Sequence, residues 1–284
     1  MDLALKEAYM RAYLFELEEE INSNPNIFRN VNFQLDEANT DKGIKTALKE
    51  LINSKCNRIR KIQHVILDEN KFDLDISSFE VRAKIPEDYS KKDKEKAKEG
   101  KESIFVEPDM ILICKTSNGS FTEYLELKST KGDKIPGSSV QQVIPNEWVL
   151  FVKRSEKAIE SVSGQYKDSI SGIMRFPDRS PRPEVSFNEL KKWLMDYRSE
   201  TDSTLEFRHD EHDLEKQNIF RDWQEVLSDR WLEVLKNEKK ENEPWFNNAL
   251  RKFALQLLNC YESLSLNERE AFKSKISKNI NQKN

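Results

Sequence analysis

Two apolar runs flank an Asn-Gly pair in VEPDMILICKTSNGSFTEYLELKST, residues 106–130, and nothing else in the chain restricts the fold as strongly. Asn-Gly between alternating strands predicts a two-residue hairpin loop, because both residues tolerate the positive φ that such a loop needs. With Asn118 and Gly119 as the loop, Ser117 faces Ser120 and Asp109 faces Lys128. Side chains two apart share a face of a strand, so Glu126 points the same way as Asp109 and Lys128. Ile111 and Ile113 continue that face, while Met110, Leu112, Cys114, Leu125 and Leu127 line the other. A one-residue slip would send the acids to opposite faces.

Opposed and diagonal neighbours on a hairpin lie within roughly 5–8 Å. Two readings of Asp109, Glu126 and Lys128 are open at that separation. One is an exposed salt-bridge ladder, worth about 0–1 kcal/mol. The other is a cation site, since two close carboxylates repel unless positive charge lies between them. Mg²⁺ takes oxygen ligands and commonly uses one or two carboxylates plus water and phosphate oxygens. Such an ion activates water and stabilises phosphoryl charge, and a lysine beside it can offset charge that develops in the transition state.

Pro108-Asp109, then 16 residues, then Glu126-Leu127-Lys128 resembles the signature of the PD-(D/E)xK nuclease superfamily. The resemblance covers residues 45–155. It implies an α/β fold, with a mixed central β-sheet carrying the active site on a hairpin, flanked by helices as in restriction endonucleases. It implies that Asp109 and Glu126 bind Mg²⁺, that the Leu127 carbonyl completes the ligand set, and that Lys128 is catalytic. The loop LKSTKGDKIPGSSVQQV that follows is similar to those of type II restriction endonucleases. Lys131, Lys134, Ser138, Ser139, Gln141 and Gln142 are its candidate DNA contacts. Ser138 or Ser139 could cap a helix starting near Val140, whose free N–H groups suit a phosphate; the cap alone is the other reading.

Further candidates come from the residues themselves. Arg175, Arg179 and Arg182 lie in the proline-punctuated MRFPDRSPRPE, where arginines suit phosphates or guanine edges or are plain surface charges. Glu50, on the polar side of a helix over 41–54, is either an added site acid or a surface residue. Glu107 is either a supporting acid or solvated. His209 and His212 are three apart in a polar stretch and could form a metal pair. Cys56, Cys114 and Cys260 have no metal spacing and read as buried, reduced thiols.

The helix over 41–54 carries the apolar stripe Ile44, Ala47, Leu48, Leu51 and Ile52, and the first 21 residues carry Leu14, Leu17 and Ile21 at helical spacing. SFEVRAKIP alternates as a strand, and EWVLFVK suits a central strand buried on both faces. The lysine-rich 89–101 is a solvated segment or a flap over a polyanion. After PDRSPRP the pattern turns helical, and Pro244 suits the start of one helix. Trp223, Trp231, Trp245, Phe246 and Phe253 read as core or subunit interface. The expected division is a nuclease core with N-terminal helices over 1–195, and a helical region over 196–284 packed on it.

The net charge of −4 hides a contrast: residues 128–192 hold 12 Lys/Arg against 8 Asp/Glu, and 196–233 hold 5 against 12. DNA is therefore expected at the basic middle, away from the acidic helices. No run approaches the ~20 apolar residues of a membrane span. The acidic, amphipathic start is unlike a signal peptide, so a cytoplasmic protein is expected. The whole reads as a Mg²⁺-dependent type II restriction enzyme cutting double-stranded DNA as a homodimer. The alternatives are a repair or recombination nuclease on the same core, a non-catalytic nucleic-acid-binding protein, or a helical interaction module.

Overall fold

The computed structural model describes residues 1–28, 31, 37–99, 101, 103, 107–154, 159–174, 182–236 and 244–280, leaving aside the side chains of 25, 37–40 and 173–174. The first half runs α1 (Leu3–Ser23), α2 (Glu37–Ser54), β1 (His64–Leu67), β2 (Asn70–Asp73), β3 (Glu80–Lys84), α3 (Lys91–Lys96), β4 (Met110–Thr116) and β5 (Gly119–Thr130). Strands β6 (Lys134–Pro136), β7 (Trp148–Arg154), β8 (Ile159–Gln165), β9 (Ile170–Met174) and β10 (Arg182–Ser186) follow. Then come α4 (Phe187–Tyr197), β11 (Arg198–Thr201), β12 (Thr204–Phe207) and α5 (Asp213–Arg221). Three helices close the chain: α6 (Trp223–Lys236), α7 (Pro244–Ser263) and α8 (Leu266–Ile280). The protein is thus mixed α/β, and its later part is helical.

The central sheet has the order β3-β4-β5-β7-β8. Its pairs are antiparallel except β5 with β7, which run parallel. Trp148 through Val152 are all buried, as a strand covered on both faces requires. Phe79, Val81, Ala83 and Ile85 are buried along the alternating edge strand. Helix α1 packs against β8 and β1, and it is buried almost all round from Ala8 to Phe15. Helix α2 packs on β3 and buries Ile44, Leu48, Leu51 and Ile52. Its far side stays polar, which leaves Asp41 and Lys45 on its flank beside the hairpin.

Two small sheets complete this part, β11-β12-β1-β2 and β6-β10-β9. Strands β11 and β12 break the helical run expected after residue 183. Asp202 turns the chain in a left-handed conformation, with φ of 51°, and Leu205 and Phe207 are buried on one side of β12. Two apolar residues in a ten-residue hairpin are too few to stand out as alternation. Arg182 likewise opens β10, paired with Met174, and is not in a loop.

The chain divides into two compact units at Asp222/Trp223, so residues 196–222 belong with the first unit. Within the second, Val234 and Asn247 are buried, Trp231 lies tilted against Phe246 with ring centres 6.2 Å apart, and Arg251 donates to the Val234 carbonyl. Helix α7 starts at Pro244, as its sequence predicts. Trp245 and Phe253 are exposed, so they are not core, and Cys260 is exposed while Cys56 and Cys114 are buried. Among the described residues no helix is long and apolar enough to cross a membrane.

Candidate active site

Strands β4 and β5 form the expected hairpin, but its loop sits one residue earlier than Asn-Gly suggests. Thr116 faces Gly119 and Met110 faces Leu125. The loop residues are therefore Ser117 and Asn118, neither of which takes a positive φ, while Gly119 takes +121°. Side-chain bonds hold this turn: Asn118 N donates to Thr116 Oγ1 (3.2 Å), and Ser117 N donates to Ser78 Oγ (2.9 Å). Carried one step past Met110, the register sets Asp109 opposite Glu126, correcting the expected pairing with Lys128. The shift moves each pairing by two residues, an even number, so the face of each side chain is kept and Asp109, Glu126 and Lys128 still point the same way.

These residues line one polar cavity of about 400 Å³, together with Asp41, Ser138 and Gln142. Asp109 Oδ2 accepts from the Leu127 amide (2.9 Å), tying the first acid to the strand that carries the second. Its Oδ1 lies 2.5 Å from Lys45 Nζ on α2. Tyr89 Oη donates to the Pro108 carbonyl (2.9 Å), fixing the peptide before Asp109. Lys128 Nζ bridges Glu126 Oε2 and Ser138 Oγ, each at 3.2 Å. The Glu126 and Lys128 side chains are 11% and 13% exposed, which is too buried for a solvated surface ladder.

Burial and the neighbouring Asp109 and Glu147 charges, opposed by Lys128, push Glu126 up to about 7. Burial would lower the Lys128 pKa, but the Glu126, Tyr166 and Asp109 charges outweigh it and the pKa is raised. The lysine therefore stays an ammonium at neutral pH. Glu147 is itself buried against Lys101, 2.7 Å away.

The loop after β5 is clamped. Gly137 N donates to the Pro183 carbonyl (2.8 Å), and Ser138 N donates to Tyr166 Oη (2.6 Å). A Cβ at Gly137 would meet Tyr166 Oη at 2.3 Å and the Pro183 carbonyl at 2.8 Å, so this close approach needs glycine. The clamp turns the Ser138 hydroxyl toward Lys128. No helix follows Ser139: residues 140–142 form a turn, with Gln142 N donating to the Ser139 carbonyl (2.8 Å). Buried Val140 and Val143 and the nearby Pro145 leave too short a stretch for a helix, so the expected helical phosphate site is absent.

Of the other candidate contacts, Lys131 is exposed, Ser139 is buried, Gln141 is half-buried, and Lys134 pairs with Glu184 at 2.9 Å. Arg182 is half-buried. Arg175 and Arg179 lie outside the described residues. Glu107 lines the cavity and pairs with Lys94 of the lysine-rich segment, at 2.8 Å. Glu50 is exposed. Asp41 takes the place on α2 suggested for it, nine residues or about two and a half turns away and hence on the opposite side. His209 and His212 face different carboxylates, Asp68 and Glu215, each at 3.7 Å.

Sequence reasoning missed Asp41, Lys45 and Tyr166. The first two are one turn apart beside the apolar stripe of α2, a legible signal. Tyr166 comes from beyond β8, and only the tertiary fold brings it in.

Among the described residues no three acidic, imidazole or thiol side chains converge into a ready metal cage. The carboxylates of Asp41, Glu107, Asp109 and Glu126 all line the cavity, and Leu127 lies between Glu126 and Lys128 on β5. That all-oxygen set fits Mg²⁺, which keeps several waters and needs only one or two carboxylates. It does not suit softer metals. No protein-family model matches the chain, and no curated protein is significantly similar to it.

Proposed function

We propose that the protein is a Mg²⁺-dependent endonuclease of the PD-(D/E)xK type, hydrolysing phosphodiester bonds of double-stranded DNA at a specific sequence. The observation that carries this reading is the shared face of Asp109, Glu126 and Lys128 inside one polar cavity. The antiparallel β4–β5 pair lying beside the parallel β5–β7 pair supports a restriction-endonuclease-like core.

In this reading Asp109, Glu126 and the Leu127 carbonyl would hold the ion, which would supply activation of water and neutralisation of phosphoryl charge. Burial and Asp109 hold the Glu126 pKa near neutrality, so Glu126 would serve as a ligand in its deprotonated form. Lys128 stays cationic and is held by Ser138, so its charge is fixed beside the reacting phosphate without reorganisation. The Tyr166 and Gly137 clamp sets where Ser138, and through it Lys128, can stand. Two-fold symmetry of duplex sites matches a homodimer.

Mixed-sequence duplex DNA incubated with the protein, with and without Mg²⁺, tests the reading. Discrete fragments that require Mg²⁺ are expected. A smear or end-trimming would indicate a repair-type nuclease instead, and no cutting would leave a binding protein.

A further inference from the structure

The two oxygens of Asp109 are engaged in different ways. Oδ2 accepts from a β5 backbone amide inside the sheet, which cannot leave without breaking strand pairing. Oδ1 is held by Lys45, a flexible side chain on α2 that is 22% exposed and can leave. An ammonium 2.5 Å from that oxygen and a divalent cation cannot share it, because their charges repel at such range. Asp41, one turn earlier on the same helix, lines the cavity, so α2 holds the base of Lys45 at the rim wherever its ammonium goes.

We propose that Lys45 is a stand-in for the metal ion on Asp109: it neutralises the acid before loading, yields Oδ1 to the ion, and then takes a phosphate oxygen of the duplex. This rests on the metal-dependent nuclease reading and adds a phosphate-contacting residue to it. The exchange makes ion loading and DNA affinity depend on each other through one side chain.

Ca²⁺ binding measured by calorimetry on wild type, Lys45→Met, Lys45→Arg and Asp109→Asn tests the exchange. Lys45→Met removes the competitor and should bind Ca²⁺ about tenfold more tightly, the effect of one nearby charge on a carboxylate. Lys45→Arg keeps the charge and should resemble wild type. Duplex affinity of Lys45→Met should fall severalfold when Ca²⁺ is present and stay unchanged when it is absent. Unchanged or weaker Ca²⁺ binding by Lys45→Met, in protein that melts as wild type does, overturns the exchange while leaving the metal site standing. Equal Ca²⁺ binding by wild type and Asp109→Asn overturns both. Should Lys45→Met fold poorly, Lys45→Gln gives the same two readouts.

Discussion

Glu126 shows at the residue scale how this site costs the fold stability. Its carboxylate is buried beside Asp109, and its pKa is raised because the charged form is the disfavoured one there. A neutral amide of the same shape removes that repulsion, while Ser138, Asp109 and Tyr166 remain around Lys128. Glu126→Gln should therefore melt at the wild-type temperature or a few degrees higher, since about 1 kcal/mol moves Tm by a few degrees in a chain of this size. Differential scanning calorimetry checks this. A fall of more than about 5 °C would mean that the charge holds the fold together, as it would in a purely structural ion pair.

At the scale of elements, Asp210 joins α4 to the turn before α5. It accepts from Trp193 Nε1 (2.9 Å), His212 N (2.9 Å) and Lys216 Nζ (2.7 Å). Burial would raise its pKa, but these donors outweigh burial and bring it down to about 2. A depressed acid stabilises the fold above its unfolded value near 3.8, and that contribution is lost as pH falls through about 2. Asp210→Asn should cost about 1–2 kcal/mol at pH 7 in urea titrations, and the difference from wild type should vanish near pH 2. A constant difference across that range would place the effect in packing. The hairpin itself was legible from its letters: apolar alternation assigns β4 and β5, and face parity survives an error of two in register. The loop position was not legible, because Thr116 and Ser78 hold the turn through side chains far apart in sequence. Asp41 and Lys45 could have been found by following the polar flank of α2. Tyr166 and the β11–β12 hairpin needed the tertiary structure, which alone gives their few apolar or polar contacts a meaning.

At the scale of the whole molecule, net charge is a poor guide and local charge a better one. The basic stretch over 128–192 includes the cavity loop, yet Lys134 spends its charge on Glu184, whereas Lys131 is exposed. Lys131→Ala should weaken binding to all duplexes alike and make log affinity less steep in log salt by about 0.9. Lys134→Ala should change that slope less. A salt titration in the Glu126→Gln background, where cutting should be blocked, measures both; an unchanged slope for Lys131→Ala would put the DNA elsewhere. The central claim is that one face of one hairpin carries metal-dependent phosphodiester hydrolysis, and the rate of plasmid cleavage in Mg²⁺ by wild type, Asp109→Asn, Glu126→Gln and Lys128→Ala tests it most directly. Each substitution should cut the rate by about 10²-fold or more, and excess chelator should abolish wild-type cleavage. Near wild-type turnover by any of the three, or full activity in chelator, would contradict it.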